Sequence, residues 1–162
     1  MCMRAAMKKK YKLPDDFELS QTFLFFWDKF ERANYFANAI LETLDEDLDS
    51  RVVQHLLHNP MEDGGQWDMA VNVILKYGVV PKTAYPESFH SGNSRTLNAL
   101  LNAKLRDFAC ELRTHAREWT REERAEKVQA FLAIFYRVLA IHLGTPPATV
   151  DWSFTDTDKQ TP

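Results

Sequence analysis

The chain has 162 residues, 45% of them hydrophobic and 12% aromatic, with 20 Lys and Arg against 23 Asp and Glu for a formal net charge of -3. Eleven Phe, four Trp and five Tyr supply enough large apolar surface for a core, which excludes a disordered segment or a coiled-coil rod. Five Gly are too few for the turns of an all-β sandwich or barrel, and the slightly acidic balance gives no global field for gripping a phosphate backbone.

Met1 to Lys12 is basic but has no long apolar core, so neither a signal peptide nor a membrane span is expected there. No other window reaches the length of about 18 apolar residues that a span needs. Cys2 and Cys110 are far apart in the chain, the pattern of reduced thiols in a cytoplasmic protein rather than of a disulfide framework. After Leu13-Pro14-Asp15-Asp16, Ser20 is placed as an N-cap. A helix is predicted from there to about Leu44, on Phe23, Phe26, Trp27, Phe30, Ala33, Ala37, Ile40, Leu41 and Leu44. Trp27, Phe30 and Tyr35 are expected on its inward stripe.

A shorter helix over 51–58 is predicted behind Ser50, facing inward with Val52, Val53, Leu56 and Leu57 and stopped by Asn59-Pro60. Glu62-Asp63-Gly64-Gly65 follows, then a helix over about 66–77 with Trp67, Ala70, Val71, Ile74 and Leu75 on one face and Gly78 as its stop. Pro81 and Pro86 punctuate an extended stretch to Asn93. Two long helices come next, over about 94–117 and from the capping box Thr120-Arg121-Glu122-Glu123 to Gly144, ahead of Pro146-Pro147. From Val128 to Ile141 the second has Arg137 as its sole charge, so burial on several sides is expected. Val150, Trp152 and Phe154 alternate with polar neighbours, the period of a half-buried strand.

His55 and His58 sit three apart on one helical turn, but no Cys or further His pair nearby completes a metal site, and surface or packing roles are the better reading. His115 lies in a charged, solvated stretch, and Cys110 reads as a small buried residue rather than a nucleophile. Lys8, Lys9, Lys10 and Lys12 read as a solvated helix end. No cofactor is indicated. Gly64-Gly65 exposes bare main chain, which suits either a plain turn or an edge on which an extended peptide backbone can lie.

Several motifs together carry a resemblance. Phe17-Glu18-Leu19-Ser20-Gln21, Leu24-Phe25-Phe26-Trp27-Asp28-Lys29, Glu31-Arg32 and Asn59-Pro60 come first. Asp63-Gly64-Gly65-Gln66-Trp67-Asp68-Met69, Lys76-Tyr77-Gly78-Val79-Val80-Pro81-Lys82, Tyr85-Pro86-Glu87-Ser88 and Leu143-Gly144-Thr145-Pro146-Pro147 follow. The chain resembles the bleomycin hydrolase, or aminopeptidase C, branch of the papain-like cysteine proteases over nearly its whole length. The resemblance implies a mainly α fold: the helical half of a papain-like α+β cysteine protease with its helical insertion. It divides the chain into an N-terminally truncated helical half over 1–90, an insertion over 91–148, and the start of a strand with a tail over 149–162.

The implied chemistry is hydrolysis of peptide bonds from the N-terminus of peptides by a Cys thiolate, with a His base, an orienting Asn and an upstream Gln in the oxyanion hole. In the family's pattern the Cys stands ten residues ahead of an arginine that matches Arg4, so it would precede Met1, and Cys2 does not replace it. The His and Asn would follow Pro162. No residue of this chain is therefore expected to be catalytic, and the chain alone is expected to be an inactive fragment. Gly64 and Gly65 become the substrate-binding residues. A peptide substrate and a homo-hexamer are implied for the parent, and nucleic acid is a partner that the charge balance does not support. The alternative function is a non-catalytic peptide-binding or assembly module built on Gly64-Gly65 and the apolar helix Val128–Ile141.

Overall fold

The computed structural model describes residues 2–154, and for Cys2 the backbone alone; Met1, the side chain of Cys2 and residues 155–162 of the expected tail lie outside what is described. Among the described residues seven helices follow in chain order: α1 (Cys2–Tyr11), α2 (Gln21–Glu42), α3 (Arg51–His58), α4 (Trp67–Tyr77), α5 (Phe89–Gly92), α6 (Arg95–His115) and α7 (Arg121–Leu143). Among the described residues the β content is one isolated antiparallel bridge, Leu19 to Pro81.

The helix ends follow from the sequence. Ser20 and Ser50 accept hydrogen bonds from the N–H groups of Phe23 and Val53, filling orphan donors at the starts of α2 and α3. Thr120 and Glu123 close the reciprocal capping box of α7. Gly78 and Gly144 end α4 and α7 at φ of 76° and 89°, where a Cβ would be strained. α1 ends without glycine: Lys12 takes φ of 51°, and Leu13 N–H donates to the Lys8 carbonyl at 3.1 Å, a Schellman closure.

The main core lies between α2, α6 and α7. Phe26, Ala33, Phe36, Ala37, Ile40 and Leu44 meet Leu97, Leu101, Leu105, Phe108 and Leu112 from α6 and Val128, Leu132, Phe135, Leu139 and Leu143 from α7. One apolar interior thus takes side chains from both sides of position 90. A smaller cluster joins Phe23, Val80 and Tyr85. The Tyr85 hydroxyl donates to the Gly144 carbonyl at 2.7 Å, which docks the irregular 79–88 stretch on the end of α7; the run expected to stay extended to Asn93 instead turns into α5 behind the Ser88 capping box.

Several expectations need correction. Trp67 and Leu75 are 77% and 79% exposed; α4 turns Val73, flanked by Met69 and Tyr77, toward α2 instead. Tyr77 stacks on Trp27 with ring centroids 3.9 Å apart and its hydroxyl donates to Glu31, so this aromatic anchor sets the rotation of α4. Tyr35 is 71% exposed, one position off the buried Ala33-Phe36-Ala37 stripe, and Val52 is exposed while Val53 is sealed. Cys110 is exposed rather than buried. α7 is buried on one face, with Ile134 and Ile141 left in solvent. Val150, Trp152 and Phe154 are half-buried between exposed neighbours, so the period of two is present, but no strand forms there. Trp152 rests on Phe17 and Phe154 edges onto Tyr11.

Candidate functional site

The loop 62–66 is held from two helices. Lys29 and Arg32, almost one turn apart on α2, point the same way by helical periodicity. Lys29 is 0% exposed; its ammonium donates to the Glu62 carbonyl at 2.9 Å and pairs with Asp63 at 2.6 Å. Arg32 pairs with Asp28 at 2.8 Å through Nε and uses its other arm to donate to the Gly64 carbonyl. At the N-cap of α6, Ser94 Oγ donates to Asp63 Oδ2 at 2.6 Å, and from within α6 the Asn98 amide reaches the same carboxylate at 2.9 Å. Asn102 accepts the Met61 N–H at 3.0 Å. The loop is therefore clamped between α2 and α6 before any ligand arrives.

Electrostatics follow from that clamp. Partial burial would raise the Asp63 carboxyl, but hydrogen bonds from Lys29, Ser94 and Asn98 outweigh it and hold Asp63 at about 2. Burial pulls the Lys29 ammonium below its ordinary value, opposed chiefly by the hydrogen bond and charge of Asp63. On the far side of α2, burial and the Glu31 hydrogen bond push the Tyr77 hydroxyl up to about 12, so it stays a donor at neutral pH.

Gly64 and Gly65 are both exposed at the start of α4, as expected. They are not equivalent. A Cβ on Gly64 would meet nothing within 4 Å, whereas one on Gly65 would come within 2.9 Å of Arg32 Nη2 and 3.6 Å of Met69 Sδ. The Gly64 carbonyl is occupied by Arg32, while the N–H and C=O of Gly65 have no partner among the described residues. Gly65 is thus the position of the pair whose main-chain groups are both unpaired.

Beside the glycines lies a cleft of about 380 Å³. Its wall is apolar, with Leu24, Phe25, Met69, Ala70 and Val73, and its rim is polar, with Asp28, Arg32, Asp63, Gln66 and Glu87. A second cavity, of about 710 Å³, lies across the Asp28–Arg32 pair and reaches Tyr35, His55 and His58. His55 and His58 are exposed. Among the described residues no group of three or more His, Cys, Asp or Glu could hold a metal. No described helix is long and apolar enough to cross a membrane.

The sequence profile of the Peptidase C1-like family matches residues 1–161. The chain belongs to the Peptidase C1-like family. Within it, the chain is 45% identical over 160 residues to "Bleomycin hydrolase" of Gallus gallus, covering 97% of this chain and 35% of that protein. It is 50% identical over 145 residues to "Aminopeptidase C" of Listeria monocytogenes, covering 90% of this chain and 32% of that one. A crystal structure of PepW from Lactobacillus rhamnosis superposes with a TM-score of 0.92 at 47% identity, covering 98% of this chain and 36% of that one. The chain thus spans about a third of the length of the relatives it matches, and its fold is the helical part of a papain-like enzyme, the class expected from the motifs. Lys29, Asp63 and Asn98, which shape the site in this member of the Peptidase C1-like family, were not singled out by the sequence reading. The available signal was a lysine on the apolar face of a long helix, where a lysine needs a buried partner.

Proposed function

We propose that this chain forms the substrate-binding helical part of a cysteine-type aminopeptidase of the bleomycin hydrolase and aminopeptidase C kind, and that Gly64 and Gly65 are the edge against which the peptide main chain lies. The observation that carries this reading is the free N–H and C=O pair of Gly65, on a loop whose Gly64 carbonyl is already taken and whose flanks are pinned by Lys29 and Asp63. A pre-positioned main-chain edge beside an apolar cleft is what strand addition of a peptide requires. Nucleophile, base and orienting amide belong, in this reading, to the two thirds of the relatives' length that this chain does not span. A cytoplasmic location and a hexameric parent belong to the same reading.

The test is peptide binding. Blocked tripeptides titrated into the 162-residue chain should shift the amide resonances of Gly64 and Gly65. Gly64→Ala, which clashes with nothing in the chain itself, should weaken that binding about tenfold while leaving the melting temperature unchanged or slightly raised. Binding that is indifferent to Gly64→Ala and Gly65→Ala would overturn the edge. Because the reacting groups must be held together to supply rate, an aminoacyl fluorogenic substrate should not be turned over by the pure chain. Turnover abolished by Cys2→Ala or Cys110→Ala would refute the non-catalytic role.

A further inference from the structure

We infer that the cleft beside Gly65 selects a basic side chain, lysine or arginine, in the bound peptide, and that Glu87 is the residue that makes the selection. The inference rests on the peptide-edge reading and adds to it a substrate class. The cleft offers an aliphatic and aromatic wall, Leu24, Phe25, Met69 and Val73, along which a methylene stem can lie. Around its rim stand three carboxylates, Asp28, Asp63 and Glu87, and one guanidinium, Arg32. Two of the carboxylates already have cations: Asp28 is on Arg32 at 2.8 Å and Asp63 is on Lys29 at 2.6 Å.

Glu87 differs. Its Oε2 accepts the hydroxyl of Thr22 at 2.7 Å and lies 3.0 Å from Ser91 Oγ, and neither of these neighbours is charged. Thr22 is fully buried, so the carboxylate is oriented from beneath by a hydroxyl that cannot swing away. Oε1 has no partner among the described residues, and Glu87 is exposed. Lys82, which feels the Glu87 charge, is itself paired with Glu18 at 2.6 Å. A cationic head entering along the apolar wall finds one oriented, unpaired acceptor oxygen. An acidic head finds a net repulsive rim, which is how such a site rejects as well as selects.

The experiment uses blocked Ala-Xaa-Ala tripeptides with Xaa as lysine, norleucine or glutamate, titrated into the full 162-residue chain at low salt and followed through the Gly64 and Gly65 amides. The lysine peptide should bind about fivefold tighter than the norleucine peptide, the size of a solvent-bordered ion pair, and the glutamate peptide weakest. Glu87→Gln, which keeps an acceptor for Thr22, should erase the preference for lysine. Equal binding of lysine and norleucine peptides with clear shifts at Gly64 and Gly65 would overturn the selection and leave the edge standing. A lysine preference that survives Glu87→Gln would remove Glu87 as its cause. No shift with any peptide would overturn the edge, and this inference with it.

Discussion

Asp63 is the single side chain on which most of the site geometry converges, because it answers a buried ammonium on Oδ1, the Ser94 hydroxyl at the N-cap of α6 on Oδ2, and the Asn98 amide across both oxygens. Its carboxyl is held at about 2, below its ordinary value near 3.8. In that interval the native state binds fewer protons than the unfolded chain, so its contribution is fully present above about pH 4 and is lost as pH falls toward 2. Wild-type stability in urea, measured from pH 5 to pH 2, should decline more steeply than that of Asp63→Asn over this window. At pH 7 Asp63→Asn should cost about 2 kcal/mol, since Lys29 stays buried with a carbonyl and an amide oxygen in place of a carboxylate, reduced by the solvent exposure of Asp63 itself. A parallel pair of pH profiles would show that the Lys29 partnership does not depend on the carboxylate charge.

At the scale of elements, the helix starts are the most local events and were the most legible. Ser20, Ser50 and Thr120 each sit before an apolar-periodic run, and each accepts the predicted backbone N–H. Thr120→Ala should lower stability by about 1 kcal/mol, read as a shift in urea midpoint at unchanged slope, because it removes the hydroxyl that accepts the Glu123 N–H while the reciprocal bond from the Thr120 N–H to the Glu123 carboxylate stays. Helix rotation was less legible. α4 has apolar residues around most of its circumference, Trp67, Met69, Ala70, Val71, Val73, Ile74 and Leu75, so periodicity alone does not say which stripe is covered. The deciding contacts, Tyr77 on Trp27 and on Glu31, span some fifty positions of chain. The Lys29–Asp63 pair is equally non-local. The exposure of Gly64 and Gly65 was legible because it depends on what those two residues lack. Glu87 and Asp63, whose roles depend on partners brought in by tertiary folding, were not.

Across the whole molecule, the apolar surface is uneven. Trp67 and Leu75 are two turns apart on the same side of α4, with the half-buried Val71 between them, while the helix meets α2 through Val73 and Tyr77. Exposed aromatic and aliphatic groups in one stripe favour self-association, because each pair brought together removes apolar area from water at about 25 cal/mol per Å². The sedimentation coefficient of the chain should therefore rise with concentration, and the double variant Trp67→Lys, Leu75→Lys should suppress that rise while keeping the far-ultraviolet dichroism of the parent. A concentration dependence untouched by the double variant would place the contact elsewhere on the surface.

The burial of Lys29 bears on time as well as on geometry. Lifting the 62–64 loop away from α2 strips the ammonium, which lies over the Phe25 ring, of both its loop acceptors at once. Partial openings are therefore costly, and the loop is expected to release as a unit rather than bond by bond. Hydrogen exchange would register this as a contrast over four residues: a slow Met61 amide, held by Asn102 and freed only by full release, next to fast amides at Gly64 and Gly65, which face solvent with the latch closed. The two glycines are thus open to exchange in a loop whose frame is not, and the rigidity of that frame is set by one buried cation rather than by the turn itself.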